Sequence, residues 1–456
     1  MRNGWFHNMS FIAQLAGKRC LVIGAGVTGQ ALKVALEKFG ATALLFDEKN
    51  TVQTIQTLPT DIYLAITSPG WRPEHQIFTD LKKQGVQVIS EIDFAWQVKN
   101  ELAPDQKWVA LTGTNGKTTT IQMIQSIFDK AGINGVACGN VGEPVISAVC
   151  NSPAYEYLAL ELSSFQIEWS HLPTYESVAI LNISPDHIDW HGSFDSYSKA
   201  KLKLLSQSKR SILNKSDPEL KNRCAQHNDV IWFSLDTPGP GEIGLVEELL
   251  IDRAFSPNPQ EANEISELVD ITPTVPHNVL NAMAAAALSL SIGISYKDIK
   301  SGLQSFTTDH HRMELIRSHR EINWIDDSKA TNPHAAAASI MGNLNVIWIA
   351  GGLAKGASMD NLVKQCSARI KAAILIGQDR DLIAKALQEF APKAVIKLID
   401  LRSDNKQLMS DVVAAAADIA VAGDTVLLAP ACASMDQFSS YVERGTLFAK
   451  AVKALP

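Results

Sequence analysis

The run Leu111-Thr112-Gly113-Thr114-Asn115-Gly116-Lys117-Thr118-Thr119-Thr120 constrains this chain more than any other segment. Ahead of it, Trp108–Leu111 is a short, wholly apolar strand run. Behind it, Ile121, Ile124, Ile127 and Phe128 recur at helical spacing. A glycine-rich turn between strand and helix gathers backbone N–H groups around an anion, where the helix dipole is positive. Lys117 is placed to reach terminal phosphates, and the Thr118 hydroxyl to ligand Mg²⁺. The strict phosphate-loop pattern wants a glycine where Leu111 stands, so the match is the shorter G-x-x-G-K-T. Gly113, Thr114, Asn115, Gly116, Lys117, Thr118 and Thr119 are read as a triphosphate cradle rather than a plain helix cap.

A chain of 456 residues allows roughly three domains of about 150 residues. With 46% hydrophobic and 20% charged residues it has ample core. Its net charge of −7 argues against a nucleic-acid footprint. The six cysteines form no C-x-x-C pair, which suits reduced thiols in a cytosol. Met1–Ser10 lacks a basic stretch followed by an apolar one, so it is not read as a signal peptide, and Met9 is an alternative start. The apolar stretches Ala282–Ile294 and Val412–Ala422 fall short of the roughly 20 residues of a membrane span and read as buried helices. The expectation is a cytoplasmic monomer.

Strand and helix patterns alternate along the chain, which predicts α/β architecture with mainly parallel sheets. Three units are expected: a Rossmann-like N-terminal domain over 1–105, a central P-loop-type domain over 106–310, and a Rossmann-like C-terminal domain over 311–456. The Pro-, Gly- and Glu-rich stretch Thr237–Pro276 has no clean period and reads as loops and edge strands.

In the first unit, Gly24-Ala-Gly-Val-Thr-Gly29 follows a strand and opens a helix, with Asp47 eighteen positions beyond Gly29. Alone, this fingerprint favours a nicotinamide dinucleotide. The same geometry serves any nucleotide diphosphate, and nothing later in the chain resembles a hydride-transfer site. Gly26, Val27, Thr28 and Asp47 are therefore read as holding a nucleotide-linked substrate, with Ser68-Pro69-Gly70 as a second wall.

Glu161 closes the strand run Tyr157–Leu160, where a carboxylate beside a phosphate loop can ligand Mg²⁺. Asp186-His187-Ile-Asp189-Trp-His191 crowds two acids and two histidines together. No third soft ligand has zinc spacing, so His187 is read as a divalent-metal or phosphate neighbour and His191 as a surface residue. By composition alone, Lys201 is one of several lysines on a solvated helix face.

Thr112-Gly-Thr-Asn-Gly-Lys-Thr-Thr119, Glu161-Leu-Ser-Ser-Phe-Gln166, Asp186-His-Ile-Asp189 and Ala200-Lys201-Leu202 together resemble the Mur ligases of peptidoglycan synthesis. His277-Asn278, His311-Arg312, Asp327-Ser-Lys-Ala-Thr-Asn332 and Ala431-Cys-Ala-Ser-Met-Asp-Gln-Phe438 continue the match through all three units. The Asp327–Asn332 run is similar to the D-glutamate-adding member. The resemblance implies ATP and Mg²⁺ (or Mn²⁺), with UDP-N-acetylmuramoyl-L-alanine and D-glutamate as reacting partners through an acyl phosphate. It further implies Lys117 and Thr118 on phosphates and metal, Glu161 as co-ligand, and His187 with a carbamylated Lys201 at a second metal. Asn140 is implied near the activated carboxyl, Asn278 near adenine, Arg312 on phosphates and Asp327 on the ribose. Lys329, Thr331, Lys355, Ser434 and the backbone of Tyr441 are implied on the D-glutamate side. Two positions depart from the family pattern: Leu353 stands where an Asp is frequent, and Tyr441 where Phe is usual. A folylpolyglutamate-type ligase would lack the first unit, an oxidoreductase would not need Lys117, and a motor or switch would need no amino-acid acceptor.

Overall fold

The computed structural model describes residues 10–50, 54–227, 229–256, 258, 260–400 and 404–456, so the alternative start at Met9 lies outside the described residues. Two compact units result. The chain up to Ile183, Trp190–Thr274 and Asn278–Phe306 form one; Ser184–Asp189, Val275–His277 and Thr307–Pro456 form the other.

The first unit holds two sheets. A four-stranded parallel sheet runs Thr42–Phe46, Arg19–Ile23, Leu64–Thr67, Gln87–Ser90 in spatial order. Its strands are almost unbroken apolar runs because helices cover both faces. Ser90 caps the helix Glu91–Leu102 by accepting from the Asp93 N–H, which ends the last strand and starts the helix at one residue.

A nine-stranded sheet follows, in the order Asn263–Glu267, Leu249–Asp252, Glu242–Val246, Val230–Phe233, Ser211–Asn214, Ser177–Ile180, Lys107–Thr112, Tyr157–Glu161, Gly135–Gly139. Seven of these strands form a parallel run, and Leu249–Asp252 alone points the other way, pairing antiparallel with Glu242–Val246 and with Asn263–Glu267. The stretch expected to be loops and edge strands thus supplies the last three strands on one side of the sheet, with Asn263–Glu267 at its edge. Buried side chains of the two sheets share one core, from Leu15 and Val22 through Phe94 to Trp108 and Leu160. The run Ala282–Ile294 falls largely in the helix Pro276–Ser291, whose alanines are fully buried.

The second unit has a six-stranded sheet, ordered Glu314–His319, Ile322–Asp326, Thr425–Leu428, Val346–Gly351, Ile370–Ile376, Val395–Leu398. Only Glu314–His319 is antiparallel to its neighbour. Parallel strands bring their C-terminal ends to one edge, where ligands of such sheets bind. No helix among the described residues is long and apolar enough to cross a membrane.

Candidate active site

The strand Lys107–Thr112 delivers the glycine loop to the C-terminal edge of the nine-stranded sheet. Gly116 has φ +85°, and a Cβ there would stand 2.3 Å from Asn281 Oδ1, so the loop needs glycine at that point. Asn182 pins the loop from the neighbouring strand: its Oδ1 accepts from the Asn115 N–H at 2.8 Å, its Nδ2 donates to the Asn115 carbonyl at 3.0 Å, and its own carbonyl accepts from Thr114 at 3.0 Å. The sequence reading passed over Asn182; the available signal was an amide side chain just beyond a strand beside the phosphate-loop strand. Lys117 Nζ donates to the carbonyls of Gly113 at 2.8 Å and Thr114 at 3.0 Å. Thr118 and Thr119 lie in the first turn of the helix Lys117–Ala131.

Lys201 is not on a solvated face. It is 1% exposed, and its Nζ donates to the Gly113 carbonyl at 2.9 Å and to Thr112 Oγ1 at 3.2 Å. The ammonium also stands 4.9 Å from the ring centre of Tyr197, whose hydroxyl meets Thr114 Oγ1 at 2.9 Å. The helix Phe194–Leu202 turns Lys199 outward, 73% exposed and paired with Asp195, and Lys201 inward. His191 is also held rather than free: Nε2 meets Ser164 Oγ at 2.9 Å and the ring stacks on Phe165.

Glu161 pairs in register with Leu111 and so ends beside the phosphate loop. It is 1% exposed. One carboxylate oxygen accepts from Asn140 Nδ2 at 3.1 Å, and the other is buried with no hydrogen-bond partner. A buried carboxylate oxygen left over in this way costs stability unless a cation meets it, so the donor set fits a hard divalent metal. His187 lies in Ser184–Asp189, in the left-handed region at φ +52°, with Nε2 3.6 Å from Asp186. Asn278 is buried, and its amide donates to the Pro273 carbonyl at 2.9 Å.

Around the first sheet lie Gly26, Val27, Thr28, Asp47 and Ser68–Gly70, the residues the sequence reading assigned to a nucleotide-linked substrate. Gly26 is the N-cap of the helix Val27–Lys38, with Val27 77% exposed at its mouth. Asp47 accepts from the Ala25 N–H at 2.8 Å and from Lys49 and Asn50, so its carboxylate shapes the cradle. Partial burial pushes its pKa up, but those three N–H donors and the Lys49 charge outweigh this and hold it below the usual carboxylate range. A Cβ on Gly24 would lie 2.6 Å from Ser68 Oγ, so the Ser68-Pro69-Gly70 turn rests directly on the cradle. The Thr28 hydroxyl bonds to buried Glu91, which also accepts from Gln166 at 2.8 Å.

In the second unit, Asp327 follows the strand Ile322–Asp326. Burial pushes its pKa up to about 6, against the Ser339 hydroxyl, the Met313 N–H and the Arg312 charge. The Lys329 ammonium lies 4.0 Å from the ring centre of Tyr441, and Ser328 Oγ donates to the Tyr441 carbonyl at 2.8 Å. Ser434 is buried, Thr331 donates its N–H to the Lys329 carbonyl, and Lys355 is exposed at φ +51°. Leu353 makes a two-way backbone bridge with Ala433, at 2.8 and 2.9 Å, that needs no side-chain acceptor. A carboxylate is nonetheless present nearby, because Asp379 accepts from the Ala354 N–H at 2.7 Å.

Sequence reading also missed Arg444. It is fully buried, and its guanidinium donates to Ser328 Oγ and to the carbonyls of Ser328, Gly351 and Cys432, tying three strand-end loops together. Burial lowers its pKa to about 10, which leaves it charged at neutral pH. His311, Glu314 and Asp326 stand close enough to share a metal ion. The 2.6 Å contact from His311 Nδ1 to Asp326 holds the imidazole's pKa above its ordinary value.

Comparison with known proteins places these features in one family. Residues 111–289 match the Mur ligase middle domain, and residues 311–432 match the Mur ligase, glutamate ligase domain. The UDP-N-acetylmuramoylalanine--D-glutamate ligase of Thermobifida fusca is 42% identical, over 97% of this chain and 99% of its own. The enzyme of the same name from Streptomyces avermitilis is 40% identical, over 96% and 98%. Among solved structures, the MurF ligase of Thermotoga maritima in complex with ADP shares the fold with a TM-score of 0.57 at 16% identity, covering 97% of this chain and 96% of that one. A pseudomurein peptide ligase type C from Methanothermus fervidus gives 0.58 at 18% identity, covering 90% and 96%. With two successive Mur ligase domains matched and a relative 42% identical over 97% of its length, the chain belongs to the Mur ligase family.

Proposed function

We propose that the protein joins D-glutamate to UDP-N-acetylmuramoyl-L-alanine, converting ATP to ADP and phosphate, in the assembly of peptidoglycan precursors. A carboxylate is a poor electrophile, so the alanine carboxylate takes the γ-phosphoryl group to become an acyl phosphate. The amine of D-glutamate attacks that carbon, and the tetrahedral adduct collapses with loss of phosphate. Chemistry of this kind needs positioning and charge neutralisation more than a protein nucleophile.

The observation that carries the reading is Glu161, with one oxygen on Asn140 and the other buried and unmatched at the edge of the phosphate loop. In this account Gly113–Thr119 hold the triphosphate, and Lys117 exchanges loop carbonyls for phosphate oxygens. Asn278 lies toward adenine, Arg312 toward phosphate and Asp327 toward ribose. Thr118, Glu161, His187 and Lys201 (as a carbamate) would hold Mg²⁺, which when bound neutralises charge on the transferring phosphoryl group. Gly26, Val27, Thr28, Asp47 and Ser68–Gly70 hold the uridine nucleotide end. Lys329, Thr331, Lys355, Ser434 and Tyr441 receive D-glutamate, a dicarboxylate that requires donors beside a polyphosphate.

The same reading assigns 1–105 to the nucleotide-sugar, 106–310 to ATP and 311–456 to the amino acid, in a cytoplasmic monomer. Mixing the protein with ATP, Mg²⁺, the nucleotide-sugar and D-glutamate should yield a product heavier by one glutamyl residue. ADP release at the same rate without D-glutamate would overturn the assignment.

A further inference from the structure

The helix Ser164–Trp169 begins three residues after Glu161, yet its contacts reach the nucleotide cradle of the other sheet in the same compact unit. Three ties make the connection. Gln166 donates to Glu91 at 2.8 Å, and Glu91 accepts from the Thr28 hydroxyl in the cradle. Trp169 donates its indole N–H to the Trp71 carbonyl at 2.9 Å. Trp190, in the segment that packs on this helix, donates its indole N–H to the Gly70 carbonyl at 3.3 Å. Two indoles therefore hold successive carbonyls of one turn.

Both rings are themselves fixed. Trp169 packs on Phe78 with ring centres 4.8 Å apart, and Trp190 packs on Phe165 at 4.8 Å. The turn's first residue is tied to the neighbouring strand by the Ser68 N–H on the Ile23 carbonyl at 2.8 Å. Its closing bond from the Trp71 N–H to the Ser68 carbonyl, however, is stretched to 3.5 Å, so the Gly70 and Trp71 end relies on the indoles and on the packing of the Trp71 ring. What the turn controls is the cradle's width. Gly24 accepts the Ser68 side chain only because it lacks a Cβ, so a shift of the turn either opens a gap over Gly24 or drives Ser68 into it.

We propose that Trp169 and Trp190 are positioning residues for the nucleotide-sugar. They lock the Ser68–Trp71 turn against the cradle and hold it at a fixed distance from Glu161, the end at which the carboxyl is activated. The inference rests on the proposed function, because it takes the cradle as the nucleotide end and Glu161 as the carboxyl end of one substrate. Neither indole need touch substrate; each acts through a backbone carbonyl.

The test is a set of Trp169→Phe, Trp190→Phe and double variants, which keep an aromatic ring in place but lose the indole N–H and part of the ring's volume. Losing a bond of this kind shifts an equilibrium by about 2- to 10-fold. The expected result is a KM for the nucleotide-sugar raised by that factor in each single variant and by more in the double variant, with KM for ATP and for D-glutamate within twofold of the parent. An unchanged nucleotide-sugar KM in the double variant overturns the proposal. So does a parallel rise in all three KM values with a lowered Tm, which marks a merely structural role. Should the double variant fail to fold, Trp190→Phe, at a half-exposed residue, decides alone. Failure of the underlying reading is separate: it would show in the parent enzyme, as ADP release indifferent to the nucleotide-sugar.

Discussion

Asn140 is bound to Glu161 twice, by its side-chain amide to the carboxylate at 3.1 Å and by its backbone N–H to the carbonyl at 2.8 Å. One residue earlier, Gly139 sits at φ +112°, where a Cβ would come 2.5 Å from the Glu161 carbonyl oxygen. The two strand ends are therefore locked face to face, and the carboxylate is aimed by its neighbour rather than by solvent. This arrangement concentrates the expected consequences of substitution in a few positions.

Glu161→Gln should leave the fold intact, because the amide oxygen still accepts from Asn140. It should nonetheless lower kcat by at least the ~10²–10³ typical of losing one electrostatic contact to the transition state. The check is steady-state kinetics with Mg²⁺ titrated; a Gln variant with unchanged kcat and Mg²⁺ dependence would remove Glu161 from the metal.

Gly139→Ala meets backbone on a neighbouring strand, which cannot move aside as a side chain could. A strained left-handed site costs about 1–3 kcal/mol, so thermal unfolding should shift downward, together with activity. A variant as stable and active as the parent would mean that the close approach to Glu161 is not needed.

Lys201→Ala removes a buried group bound to Thr112 and Gly113. The account predicts loss of activity and partial recovery with added short carboxylates, which would stand in for a carbamate. Full activity without them contradicts the modification.

Glu91 supplies a pH dependence. Burial raises its pKa from 4.5 to about 7, against the hydrogen bonds from Gln166 and Thr28. Between those two values the folded state keeps a proton that the unfolded state has released. Its contribution to stability is therefore full below about 4.5, falls as pH rises toward about 7, and is flat above. Glu91→Gln mimics the protonated form, so its Tm should fall less than the parent's over this range. Parallel Tm–pH curves would contradict the assignment. Asp327 adds a similar slope at lower pH in both proteins and cancels in the comparison.

Much of the fold was legible because buried parallel strands read as apolar runs. The strands Lys107–Thr112 and Tyr157–Glu161 contain the apolar runs Trp108–Leu111 and Tyr157–Leu160 read from the sequence. The edge strands Glu314–His319 and Val395–Leu398 were not legible: one or both faces meet solvent, and their polar composition resembles loop. The glycine loop and Glu161 were visible because local spacing carries their chemistry. Lys199, Lys201 and Lys203 were indistinguishable in sequence. Only the docking of their helix buries Lys201, exposes Lys199 and sends Lys203 to the Glu168 carbonyl. Arg444 was invisible for a related reason, since its partner Ser328 lies 116 positions away. Leu353 looked like a loss in the sequence, but its position is held by backbone bonds to Ala433.

The most direct test of the central claim follows the oxygen. The nucleotide-sugar, with heavy oxygen in its terminal alanine carboxylate, is turned over with ATP and D-glutamate, and the released phosphate is analysed by mass spectrometry. Transfer of the γ-phosphoryl group to the carboxylate predicts one labelled oxygen per phosphate released. Phosphate free of label, with amide product formed at the normal rate, would contradict it.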